Sequence, residues 1–139
     1  MAKDDLTRLL NLLGPDVATK GYTNGPLPVV SLDAFFNGNT DEGAFQGAPL
    51  ETAEAGLRAI AARPDVTTVA LGITQWEGED TWPLAEYIFV ATSAPPETIH
   101  GWLKDARIHV SEIGQGSEHR PRAEIPTAPG DHIVWAWID

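Results

Sequence analysis

Apolar residues recur in this chain at two different periods, and the order of those periods limits the fold more than any other feature. Leu6, Leu9, Leu10 and Leu13 fall at i, i+3, i+4 and i+7, and so do Ile99, Trp102, Leu103 and Ala106. Ala53, Leu57, Ile60 and Ala61 keep the same helical spacing. Each set puts a single apolar stripe on a helix. Elsewhere Val69, Leu71 and Ile73 alternate with Thr68, Gly72 and Thr74, and Ile133, Trp135 and Trp137 alternate with Val134, Ala136 and Ile138. That is the period of a strand.

Punctuation residues set the boundaries. Gly14-Pro15 stops the first helix, and Pro64, just after Arg63, stops the second; Pro95-Pro96 with Glu97 suits the opening of the third. Helices are therefore predicted near 4–13, 50–63 and 96–106. Strands are predicted near 28–35, 66–76, 86–92 and 132–138, with a weaker one at 107–113. The 86–92 run is apolar almost throughout, as expected of a strand buried on both faces. Residues 14–28, 37–43, 77–83 and 114–130 read as loops. After the leading helix, the order is strand, helix, strand, strand, helix, strand, with one strand extra. This is the split β-α-β order of a ferredoxin-like sandwich. The expected class is α+β: an antiparallel sheet with two helices on one face and the N-terminal helix at an edge or end. Either 107–113 or 132–138 supplies the fourth strand. Leu57, Ile60, Val69, Leu71, Ile73, Ile88, Val90, Ile99, Leu103 and Val134 form the expected core. No repeat, low-complexity tract or linker divides the 139 residues. One domain over 1–139 is expected, with 1–27 as a helix-and-loop extension.

Charge is unevenly spread. Eleven acidic residues and only two basic ones, Arg58 and Arg63, lie between Asp33 and Ile99, and the flanks are nearly balanced. Most of the net charge of −11 thus comes from the middle of the chain. Such a field attracts basic partners and repels nucleic acid and anionic membrane. The chain has no cysteine, which removes disulfides, thiolate metal sites and cysteine nucleophiles. No apolar run approaches a membrane span, and the charged residues Lys3, Asp4 and Asp5 argue against a signal peptide. A cytoplasmic location is expected.

Motifs that resemble chemistry fail where the chemistry is demanding. Asn37, Asn39 and Asp41 place oxygens at alternate positions, as calcium loops do, but the turn glycine is one residue late and Ala48 stands where a glutamate is required. Local turn chemistry explains the cluster without a metal. His100, His109, His119 and His132 include no i, i+3 or i, i+4 pair that would make a zinc face. Gly114-Gln-Gly-Ser117 lacks the flanking glycines of a nucleophile elbow, and no phosphate-binding glycine fingerprint occurs. Neither catalytic residues nor a cofactor is expected. Glu77, Glu79, Asp80 and Glu86 surround Trp76 and Trp82, and a small charged loop bathed in water suits contact better than acid–base catalysis.

Several stretches together resemble a family of small, acidic, uncharacterised bacterial proteins. They are Val29-Val-Ser-Leu-Asp-Ala-Phe-Phe36, Gly38-Asn39 with Asp41 and Gly43, Arg63-Pro-Asp-Val66, Trp82-Pro83 followed by Tyr87-Ile-Phe-Val90, Thr92-Ser-Ala-Pro95, and Trp135-Ala-Trp-Ile-Asp139. The resemblance spans about 28–139 and implies a bacterial cytosolic origin, with no site residue to carry over. From the residues themselves, the expected function is a non-catalytic protein-binding module. An acidic inhibitor or immunity-type protein that neutralises a basic toxin or nuclease is the concrete form. The expected contact residues are Asp41, Glu42, Trp76, Glu77, Glu79, Asp80 and Trp82. The alternative is a dimeric α+β domain, or an enzyme, that uses the 114–130 loop with His119, Arg120 and Arg122 to close over an anionic small molecule.

Overall fold

The computed structural model of the chain describes residues 3–21, 26–78, 80–116 and 125–138. The leucine stripe forms α1 (Lys3–Leu13), burying Leu6, Leu9 and Leu13, and a short α2 (Pro15–Lys20) follows it. The loop expected at 14–28 therefore begins as a helix: Pro15 fixes the first turn, Val17 is buried, and Gly21 closes it at φ 79°. Next come β1 (Val29–Ser31), α3 (Leu32–Phe36), α4 (Leu50–Ala61), β2 (Val66–Gln75), β3 (Leu84–Thr92), α5 (Pro96–Asp105), β4 (Glu112–Gln115) and β5 (His132–Trp137).

The first predicted strand is cut short. Ser31 Oγ accepts from Ala34 N, and Leu32, Phe35 and Phe36 take up helical spacing behind that cap. Phe35 and Phe36 then pack edge-to-face, ring centroids 5.0 Å apart, with Phe45 tilted against both.

The sheet is antiparallel throughout, in the order β1-β2-β3-β5-β4, and the class is α+β. The strand order differs from a ferredoxin-like one at its first half. There, β1 and β2 would be parallel with β3 between them. Here β1 pairs β2 directly, Val30 opposite Leu71, so α3 and α4 lead an excursion that returns antiparallel beside its start. The second half keeps the split unit. β3 and β4 both pair antiparallel with β5, which lies between them, so β3-α5-β4 is a β-α-β crossover opened by the last strand. Both C-terminal candidates thus enter the sheet, the first of them displaced to 112–115.

All ten expected core residues are buried. The two faces of β5 divide as its alternation indicates. Val134, Ala136 and Ile138 join the main core with α1, α3, α4 and α5, while Trp135 packs with Phe89, Ala91 and Ile125 on the other face. That second face is flattened by glycine. A Cβ at Gly114 would stand 2.5 Å from the Trp135 ring, and one at Gly72 would stand 2.8 Å from Phe89.

Candidate functional site

The two acidic loops of the sequence meet in space. Asn39 Oδ1 accepts from Asp41 N, and Asp41 Oδ1 accepts from Gly43 N, which winds residues 39–44 into a tight turn ending in one 3₁₀ turn. The other carboxylate oxygen, Oδ2, accepts from Trp82 N at 2.9 Å. Asp41 therefore clamps the 39–44 turn to the loop between β2 and β3, and a parallel bridge between Phe45 and Ala85 extends the seam. Glu42 turns the other way, where its Oε2 accepts from Leu50 N at 2.9 Å and serves the first turn of α4. The calcium-like oxygens of Asn39 and Asp41 are accordingly directed at backbone N–H groups.

Two clefts flank this seam and share Asp41 and Gly43. One, of about 630 Å³, is lined by Lys3, Leu6, Thr40, Asp41, Glu42, Gly43 and Asp80. The other, of about 310 Å³, runs past Gln46, Gln75, Glu77, Thr81 and Trp82. Together they form an open acidic trough across the end of the sheet. Glu42, Glu77 and Asp80 are exposed in it. No hydrogen bond or ion pair engages Glu77 or Asp80 among the described residues. Glu79 lies outside the described residues.

The bases of the acidic middle are committed elsewhere. Arg58 Nη1 meets Asp33 Oδ1 at 2.8 Å and its Nε meets Glu54 Oε2 at 2.9 Å, tying α4 to α3. The hydrogen bonds to Asp33 and then Glu54 raise the guanidinium pKa above its ordinary value. Arg63 lies over the Trp102 ring, 4.1 Å from its centroid. Lys3 is the one cation lining the trough among the described residues.

The tryptophans require a correction. Trp82, expected among the contact residues, is 2% exposed and belongs to the core with Phe45 and Ala85, its backbone N–H held by Asp41. Trp76 is half-buried, and its indole donates to Thr81 O at 3.0 Å, bracing the loop from within. Sequence reasoning missed the pairing of Asp41 with Trp82, since 41 residues separate them. It also missed the capping work of Glu42. A Glu eight residues before a helix start is no recognised cap signal.

Of the histidines, His100 and His109 are placed apart, His100 exposed on α5 and His109 exposed beyond it, while His132 Nε2 lies 2.6 Å from Ala94 O and His119 is outside the described residues. Arg120 and Arg122 are outside them too, so all three residues named for the 114–130 alternative lie outside the described residues. No described helix is long and apolar enough to cross a membrane.

The fold is an antiparallel α+β sheet with a carboxylate-bearing trough at one end, and among the described residues no group of three or more His, Cys, Asp or Glu side chains is placed to hold a metal ion. The chain belongs to the family described as the Uncharacterized protein YfbO family, whose model matches residues 6–137. It is similar to the Uncharacterized protein YfbO of Escherichia coli (strain K12), with 31% identity over 140 residues covering 96% of each chain. The match includes the leucine helix, which the motif resemblance left out. No solved structure matches the chain.

Proposed function

We propose that the protein is a binding module whose acidic trough receives a basic protein partner, in the manner of an inhibitor or immunity-type protein. The observation that carries this reading is the union of the two acidic loops: the Asp41 clamp merges them into one surface on which Glu77 and Asp80 are unengaged. Solubility alone asks only for dispersed charge. Here like charges are gathered, at a cost in self-repulsion, while Arg58 and Arg63 are turned to other work. Steering by such a surface acts mainly on the encounter rate.

The test is a pull-down from the native host, run in parallel with a variant in which Glu77, Glu79 and Asp80 are reversed to lysine. The wild type should retain a stoichiometric basic protein, and its association should slow as salt rises. A partner held equally well by the reversed variant would reduce the charge to a solubility feature.

A further inference from the structure

Trp82 is in the core and the Trp76 indole braces its own loop, but a third tryptophan stands half-buried at the same end of the sheet. The register aligns Tyr87, Trp137 and Glu112 in one row across β3, β5 and β4. By alternation this row lies on the face of Phe89 and Trp135, and the Tyr87 ring stacks on Phe89, centroids 6.2 Å apart. Ile125 packs with Phe89 and Trp135. One row further, Tyr87 and Trp137 are half-buried and Glu112 is exposed. Opposed side chains of an antiparallel pair stand about 4.5–5.5 Å apart at Cβ, so Glu112 is beside the indole. A bulge supplies a second carboxylate. Between the pairs Gly72–Tyr87 and Ile73–Ala85 the register shifts, leaving Glu86 as the extra residue, and its Oε1 accepts from Thr74 at 2.6 Å. Burial first, then the charges of Glu86 and Glu112, raise the Tyr87 hydroxyl above its ordinary value, so both carboxylates act on this row. No ion pair engages either of them among the described residues. Gln75 and Leu84, paired just beyond, line the acidic trough, which the row therefore adjoins.

The face of an indole is electron-rich and attracts cations. Carboxylates at its margin repel anions and are costly to cover with an uncharged group. Of the two side chains that are always cationic, lysine is a compact and strongly hydrated charge. Arginine is planar and weakly hydrated, and it stacks on a ring while its N–H fork meets a carboxylate. Tryptophan and arginine are also enriched among the residues that dominate interfaces. We propose that Trp137 is the aromatic anchor of the partner surface, and that an arginine of the partner stacks on its indole with N–H groups toward Glu112. The inference rests on the acidic-surface reading and adds to it a second contact region and the kind of basic residue it takes.

Blocked tetra-arginine and tetralysine peptides carry equal charge on different head groups. Each is titrated at low salt into the ¹⁵N-labelled full chain, following the Trp137 indole cross-peak assigned with Trp137→Leu. Tetra-arginine should bind about three- to tenfold tighter, with nuclear Overhauser contacts between its Cδ protons and the Trp137 ring. Trp137→Leu should bind the two peptides equally, and Glu112→Gln should reduce the preference for arginine. If Trp137→Leu fails to fold, the wild-type cross-peak and Overhauser contacts decide by themselves. Equal affinities with an unmoved Trp137 signal, or an arginine preference that survives Trp137→Leu, overturn the anchor and leave the acidic trough standing. Affinities that survive reversal of Glu77 and Asp80 to lysine, with the Trp137 response intact, overturn the trough and leave the arginine seat standing alone.

Discussion

Single residues here do work that composition conceals. Asp131 sits on the surface, but its Oδ2 accepts from the Thr67 hydroxyl and, at 2.8 Å, from Ala128 N, fastening the turn before β5 to β2. These bonds, Thr67 first, hold the carboxyl below its ordinary value. A depressed carboxylate contributes stability that is complete above its unfolded value of about 4 and fades as pH falls through the folded one. The wild type should therefore lose more stability on acidification than Thr67→Val, measured by urea midpoints across the acid range; equal slopes would show the bond to be idle. Arg107 offers the opposite lesson. It adopts φ 63° immediately beyond the end of α5, where Ile108 N reaches Leu103 O and Arg107 N reaches Lys104 O, the hydrogen-bond pattern of a Schellman cap. Only glycine takes that conformation without penalty. Arg107→Gly should stabilise the fold by about 1 kcal/mol, read from the same midpoints.

At the scale of elements, spacing and punctuation carried most of the information. The three long helices, the β2 and β3 strands and both faces of β5 follow from period and breakers, since each buries a regular apolar set. What the period could not convey was local competition. Residues 29–36 look like a continuous apolar strand, but Ser31 caps a helix at Leu32, and a hydrogen bond of one side chain outweighs β-propensity there. Ser31→Ala should cost about 1 kcal/mol and loosen the Phe35–Phe36 packing, visible in near-ultraviolet dichroism. The strand order was equally hidden, because pairing β1 with β2 or with β3 buries the same alternating residues. Glycine in β4 also has a reason visible only in three dimensions. The Trp135 indole lies against Gly114, leaving no room for a methyl group. Gly114→Ala should destabilise by about 1–3 kcal/mol through overpacking, whereas the same change at Gly101, with open space beside it, should not. Of the site, the sequence disclosed the acidic residues but not their division of labour, which depends on contacts across 41 residues.

The whole molecule carries a net charge of −11, and its acids fall into two groups that respond differently to salt. Asp41 acts at hydrogen-bonding distance, through Gly43 N at 3.0 Å and Trp82 N at 2.9 Å. Such contacts are short-ranged, and added ions screen them little. Glu77 and Asp80 are exposed and contribute mainly to the long-range field, which is screened beyond about 10 Å at 0.1 M salt. Raising salt from low concentration should thus raise the melting temperature of the wild type, as self-repulsion is relieved. Reversing Glu77 and Asp80 to lysine should raise it at low salt, with the advantage vanishing as salt is added, and should never cost more than about 1 kcal/mol. Asp41→Ala should lower stability by about 1–3 kcal/mol at every salt concentration, because two backbone donors lose their acceptor and the seam between the loops opens. Thermal melts of the three proteins over a salt series separate these cases. If the reversed variant melted as early as Asp41→Ala in high salt, Glu77 and Asp80 would be holding the fold together, and the trough would have no carboxylate to spare for a partner.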